Sequence, residues 1–193
     1  MTPETGNPGR RGDGGVFITR GPEETRVLGA LLAENLSPGD FISLDGELAS
    51  GKTCLVQGLA AGLGYRDPVT SPTFALLHLY EGGRLPLYHF DVYRLESPEE
   101  LENIGYEDYF YGDGVCVVEW GGLTADYLPE RRIGLTLERI ELERIENEGW
   151  EARRIIVTPY GGDEPRMRDI IVRIERDFDK RRRSPQEAGT QTC

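Results

Sequence analysis

Apolar residues recur along this chain at two spacings, and the switches between them mark out alternating strands and helices. Val16-Phe17-Ile18-Thr19 suits a first short strand. A helix is predicted from Pro22, with Glu23 and Glu24 in the first turn and Val27, Leu28, Leu31 and Leu32 on one face. Ser37-Pro38-Gly39-Asp40 reads as a turn, and Phe41-Ile42-Ser43-Leu44 as a buried strand. Helical spacing returns at Leu55, Val56, Leu59, Ala60 and Leu63, until Gly62 and Gly64 stop it.

Two further strands, Ala75 to Tyr80 and Leu85 to Phe90, flank the hairpin signal Glu81-Gly82-Gly83-Arg84. Ser97-Pro98-Glu99-Glu100 is a capping box, so a helix starts there and ends by Gly105. Val115 to Val118 is an unbroken apolar run, the signature of a central strand. Ile133 to Leu142 and Arg154 to Val157 are weaker strands about a turn at Asn147-Glu148-Gly149. Met167, Ile170, Ile171, Ile174 and Phe178 share one helical face, and a charged, frayed tail is predicted from Lys180. The expectation is an α/β fold: a mainly parallel central sheet, helices on both faces, and an antiparallel hairpin portion. Residues 1–15 read as a Gly- and Pro-rich disordered arm, 16–160 as the principal domain, and 161–193 as a C-terminal helix with a basic tail.

Between the second strand and its helix lies Gly46-Glu47-Leu48-Ala49-Ser50-Gly51-Lys52-Thr53, which meets the phosphate-loop pattern G-x-x-x-x-G-K-[ST] at every required position. Glycines at both ends let the backbone curl so that its N–H groups face phosphate oxygens, followed by the positive end of a helix. Lys52 then reaches the β- and γ-phosphates, and the Thr53 hydroxyl suits Mg²⁺. A nucleotide-dependent reaction also needs acids near the metal. Asp91 and Glu119 each follow a strand, at the end where α/β sheets bind ligands. Thr73, in Thr70-Ser71-Pro72-Thr73-Phe74, is a candidate switch threonine. Trp120 suits either a base or ribose contact or a buried anchor, and His89 either a packed core position or a site role. No Asn-Lys-x-Asp occurs, which favours adenine over guanine.

Composition narrows the partners. The 193 residues carry 22 Lys plus Arg against 34 Asp plus Glu, a net charge of −12. That balance disfavours general nucleic-acid binding, so any dealing with RNA is expected through a partner. The basic end, Arg166 to Arg183, is the local exception, suited either to a solvated helix face with a frayed tail or to a contact surface for an acidic partner or tRNA. Three cysteines without metal spacing point to a reducing cytoplasm, and no run suits a membrane span or a signal core.

Taken in order, the phosphate loop, Ser71-Pro72-Thr73-Phe74, His89-Phe90-Asp91-Val92-Tyr93-Arg94 and Glu119-Trp120 resemble the bacterial TsaE (YjeE-type) ATPases across residues 16 to 140. The resemblance implies a P-loop NTPase-like fold and an accessory ATPase for threonylcarbamoyladenosine (t6A) formation in tRNA, working with TsaD-like and TsaB-like proteins. It implies ATP and Mg²⁺ as ligands. Gly46, Glu47, Leu48, Ala49, Ser50, Gly51, Lys52, Thr53, Cys54 and Trp120 would surround the nucleotide. Thr53, Asp91 and Glu119 would serve the metal, with Lys52, Asp91, Glu119 and Thr73 in catalysis. The chain departs from the family at Ala49, where glycine is usual, at Cys54, where a second threonine is usual, and at Gly121-Gly122. A positive φ at Ala49 would strain the loop. The same loop would also serve a small-molecule kinase or a non-hydrolysing nucleotide-dependent module. An Arg-rich acceptor lid, expected of a kinase, is not evident in the sequence. Nor is an arginine plainly placed for the transition state, Arg94 being the one internal candidate.

Overall fold

A computed structural model describes residues 14–141, 151–162 and 164–183. The turn predicted at Asn147-Glu148-Gly149, all but the end of the N-terminal arm, and the chain after Arg183 lie outside the described residues. The elements run β1 (Gly15–Thr19), α1 (Pro22–Ala33), β2 (Phe41–Gly46), α2 (Lys52–Gly62), β3 (Leu77–Tyr80), β4 (Leu87–Asp91), α3 (Glu107–Phe110), β5 (Val115–Glu119), β6 (Arg132–Glu141), β7 (Glu151–Tyr160) and α4 (Glu164–Arg183). The seven strands form one sheet in the order β1-β7-β6-β2-β5-β4-β3. Its centre is parallel, since β2 pairs with both β5 and β6, and β5 with β4. Antiparallel pairs close the two edges: β3 on β4 at one, and β6, β7 and β1 at the other.

Strand alternation sends successive side chains to opposite faces. Val115 and Val117 of β5 enter the apolar cluster that includes Leu28, Leu31, Leu55, Val56 and Leu59 of α1 and α2. Cys116 and Val118 enter a second cluster with Phe41, Phe90 and Phe110 on the other face. The helix face of α4 forms as its spacing indicated: Met167, Ile170, Ile171, Ile174 and Phe178 are all buried in the first cluster. Helices α1 and α2 approach so closely that a Cβ on Gly58 would stand 2.1 Å from the Arg26 carbonyl oxygen. Only glycine fits there, and this contact seats the helix that follows the phosphate loop.

Several sequence expectations need correction. The segment after Ser97 forms as a 3₁₀ helix, Pro98–Ile104, ended by Gly105 at φ 64°. Its box is present, with the Ser97 N–H donating to Glu100 Oε1 at 3.1 Å. Helix α3 and a second 3₁₀ segment, Gly121–Tyr127, were not anticipated, being too short for a periodicity to register. β3 starts at Leu77 instead of Ala75, because Leu76 sits at φ 66° and breaks the extended run. β4 begins at Leu87, two residues past the expected start, and the strands β6 and β7 reach ten residues each.

The basic end also differs from expectation. α4 continues through Arg183 and does not fray from Lys180. Arg181 pairs with Glu34 at 3.0 Å and Arg182 with Glu24 at 2.9 Å, tying the last turn to α1. Arg166 donates to both carboxylate oxygens of the buried Asp40, at 2.7 Å and 2.5 Å. Much of the positive charge at this end therefore faces the chain's own acids. Among the described residues, no helix is long and apolar enough to cross a membrane.

Candidate functional site

The residues singled out in the sequence converge at the C-terminal ends of the three central parallel strands. β2 runs into the phosphate loop, β4 ends at Asp91, and β5 ends at Glu119. Asp91 and Glu119 are direct partners in the β4–β5 ladder, so sheet pairing itself sets the two acids side by side. Both are buried. The cleft they line is completed by Leu48 to Cys54, Ser71, Thr73, Tyr93, Arg94 and Trp120.

Two loop positions show why glycine is required. Gly46 has φ 143°, and a Cβ there would lie 2.3 Å from the Leu137 carbonyl oxygen of β6. Gly51 takes φ 106° immediately before α2. Ala49 stands at φ 61°, the left-handed region, so the strain foreseen for a residue with a side chain at this position is present. The Ser50 hydroxyl is buried at the loop without a hydrogen-bond partner among the described residues.

Lys52 is buried, and its ammonium donates to the carbonyl oxygens of Gly46 at 2.8 Å and Glu47 at 3.0 Å. It also lies 3.6 Å from the centroid of the Trp120 ring, on its face. Burial lowers the Lys52 pKa from the ordinary lysine value, and the charges of Glu119, Asp91 and Asp45 oppose that shift. The loop thus folds its own carbonyls around the cation.

The Thr53 hydroxyl donates to Glu119, 2.9 Å from Oε1 and 3.2 Å from Oε2. On the same carboxylate, Oε1 is 2.9 Å from His89 Nε2. Thr73 donates to Asp91 Oδ2 at 2.6 Å, Ser71 donates to the same oxygen, and Oδ1 accepts the Tyr93 N–H at 3.1 Å. Lys52, Thr53, Thr73, Asp91 and Glu119 are therefore one constellation. Trp120 follows β5 at φ 67°, which turns its half-buried ring back over the loop, its centroid 4.8 Å from that of Tyr93 at a tilt of 35°. Cys54 lines the cleft, but its thiol donates to the Pro22 carbonyl at 3.2 Å, and burial raises its pKa. Glu47, Leu48 and Ala49 form the exposed crest of the loop.

One participant was not legible beforehand. Arg153 of β7 donates from Nε to the Ser50 carbonyl at 3.3 Å, which places a guanidinium against the phosphate loop from a strand 103 positions later. Period-two alternation from the buried Ile155 points to it, once β7 is known to reach that far. Arg94, the internal candidate for an arginine in the site, lies with its guanidinium 4.2 Å from the centroid of the exposed Phe74 ring. His89 is fully buried and carries the contact to Glu119, which the sequence left undecided.

A mixed sheet with a parallel centre, whose central strand feeds a glycine-bounded loop and a helix N-terminus, with acids at the ends of the next two strands, defines a phosphate-loop α/β protein. More narrowly, the chain belongs to the TsaE family: the family model described as "Threonylcarbamoyl adenosine biosynthesis protein TsaE" matches residues 19–152. Relatives carrying the name tRNA threonylcarbamoyladenosine biosynthesis protein TsaE include one from Bacillus subtilis, 46% identical over 121 residues, covering 63% of this chain and 75% of the relative. One from Treponema pallidum is 48% identical over 62% of this chain and 88% of its own length. One from Streptomyces coelicolor is 40% identical over 70% and 90% respectively. The crystal structure of Bacillus subtilis YdiB superposes with a TM-score of 0.68 at 34% identity, covering 85% of this chain and 95% of that one.

Proposed function

We propose that this chain binds Mg²⁺-ATP in the cleft above β2, β4 and β5 and hydrolyses it as an accessory ATPase of tRNA threonylcarbamoyladenosine formation, acting with a TsaD–TsaB-type transferase pair. The observation that carries the reading is the convergence of Lys52, Thr53, Thr73, Asp91 and Glu119 on one cleft, on a chain of the TsaE family. tRNA is reached through the complex, in keeping with a net charge of −12.

The donor set fits a hard divalent cation. A hydroxyl and two carboxylates, all oxygen, meet where the triphosphate would end, and Mg²⁺ is commonly held by one or two carboxylates plus substrate phosphates. Among the described residues no group of three or more His, Cys, Asp or Glu side chains could hold a metal by itself. Thr53 and Glu119 would hold the cation, with Asp91 beside them. When bound, Mg²⁺ neutralises charge on the β- and γ-phosphate oxygens.

The chain's own residues divide the remaining work. Lys52 exchanges the Gly46 and Glu47 carbonyls for phosphate oxygens, placing its charge where the transition state needs it. Thr73, now bonded to Asp91, would be free to turn to the cation or the terminal phosphate when they are bound, which would tie the Ser71–Phe74 segment to the nucleotide state. An arginine placed at the transferring group is worth about 10³ to 10⁵ in rate. Arg94 sits on Phe74 and Arg153 against the Ser50 carbonyl, so the isolated protein is slow and its useful turnover belongs to the complex.

Steady-state phosphate release tests this, measured for the protein alone and then with the transferase pair and tRNA. Low turnover alone and acceleration on assembly is the expected result. Fast release that ignores the partners, or transfer of phosphate to an added nucleoside, sugar or acid, contradicts the reading and favours a kinase.

A further inference from the structure

His89 is a fully buried imidazole with one nitrogen on a site carboxylate and the other with no hydrogen-bond partner among the described residues. We infer that His89 is a positioning residue: it fixes the Glu119 carboxylate that the proposed Mg²⁺ site requires. The inference rests on the Mg²⁺-ATP reading above.

The fold sets the geometry. β4 alternates so that Leu87, His89 and Asp91 share one face, and the ladder puts Asp91 beside Glu119 and His89 beside Val117. The imidazole therefore lies two pairs further back along the sheet than the two acids, on the same face. From there Nε2 is 2.9 Å from Glu119 Oε1. Nδ1 is buried and unpaired, so a proton on it would be a donor without an acceptor. The other tautomer would also turn a lone pair toward a carboxylate oxygen. The proton consequently sits on Nε2 and is donated to Glu119.

Glu119 is thus held from below by the fully buried His89 ring and from above by the Thr53 hydroxyl. The two contacts differ in kind. Thr53 is half-buried at the cleft and free to exchange its bond when a ligand enters, whereas His89 has no exposure and keeps its bond. Removing the ring would leave a flexible glutamate to find its position afresh each time the cation binds. Groups that orient metal ligands in this way typically contribute tenfold to a hundredfold in affinity, and the expected loss is in that range, about 10- to 100-fold.

The test is binding of a fluorescent ATP analogue to the full chain, with and without Mg²⁺, in wild type, His89→Leu and His89→Gln. In His89→Leu the Mg²⁺ midpoint should rise by about 10- to 100-fold while affinity in EDTA stays at the wild-type value. His89→Gln, whose amide nitrogen reaches the Nε2 position, should recover most of the difference. An unchanged Mg²⁺ midpoint in His89→Leu, or equal impairment in both variants, overturns the inference alone. Nucleotide binding by wild type that ignores Mg²⁺ overturns the inference together with the reading beneath it. A measurement on unmodified protein stands apart from both: long-range ¹⁵N NMR of the imidazole should show the proton on Nε2, and a proton on Nδ1 would refute the anchor.

Discussion

Replacing Ala49 with glycine should make the protein more stable, an unusual direction for a substitution that removes a methyl group. Ala49 sits at φ 61° on the exposed crest of the phosphate loop. A left-handed conformation costs an L-residue with a side chain roughly 1–2 kcal/mol, and glycine none of it. Glycine gives some of this back by loosening the unfolded chain, roughly 0.4–1 kcal/mol. The methyl is exposed, so no buried contact is lost. The balance is a gain of about 0.5–1 kcal/mol. For a domain of this size about 1 kcal/mol moves the melting temperature by 2–4 °C, so Ala49→Gly should melt about 1–4 °C higher. Thermal unfolding without nucleotide, followed by circular dichroism and repeated in urea, measures it. Ala61 is an exposed alanine within α2 and supplies the control of opposite sign: Ala61→Gly should cost about 0.5–1 kcal/mol. If Ala49→Gly melts at or below wild type while the Ala61 variant falls, the loop is not strained at this residue.

Other outcomes are expected. Burial lowers the Lys52 pKa below 10.5, so between the lowered and the ordinary value the unfolded chain binds a proton that the folded chain lacks. Stability attributable to Lys52 therefore rises with pH. Without nucleotide, Lys52→Met should be more stable than wild type at pH 7, with the gap closing as urea midpoints are followed toward pH 10.5. Glu119→Gln should weaken Mg²⁺-dependent phosphate release more than nucleotide binding, because the charge acts where negative charge is redistributed; equal losses would count against that role. Arg166→Ala removes two of the hydrogen bonds that the buried Asp40 accepts, leaving it the Ser37 N–H, and urea unfolding should show a loss of about 2–3 kcal/mol, near that of charged hydrogen bonds. Cys116 is fully buried with its thiol pKa pushed well up, so mass spectrometry after alkylation of native protein at pH 8 should find it unmodified until denaturant is added.

How much could be read from the chain follows from how local each signal is. The loop was legible because its glycines, Lys52 and Thr53 are contiguous and lie between an apolar run and a helical stripe. Asp91 and Glu119 were legible because each ends a strand, and the strand end is a position that sequence exposes. That they are ladder partners was not, since it depends on β4 and β5 being neighbours. The same limit hid His89 and Arg153, which reach the site across strands 30 and 103 residues from their partners. The stripe of α4 was plain in Met167, Ile170, Ile171, Ile174 and Phe178, but its end was misplaced. Lys180 to Arg182 look like a solvated tail until Glu24 of α1 and Glu34 just past its end are brought opposite Arg182 and Arg181.

The central claim is that Lys52 is the phosphate-binding cation of a Mg²⁺-ATP site, and isothermal titration calorimetry reaches it most directly. ATP would be titrated with Mg²⁺ into wild type and into Lys52→Ala, with both proteins first shown to melt cooperatively. Saturable binding by wild type, absent in a folded Lys52→Ala variant, is the predicted result. Equal ATP affinity in the two proteins would mean that the nucleotide, if it binds at all, does so somewhere other than this loop.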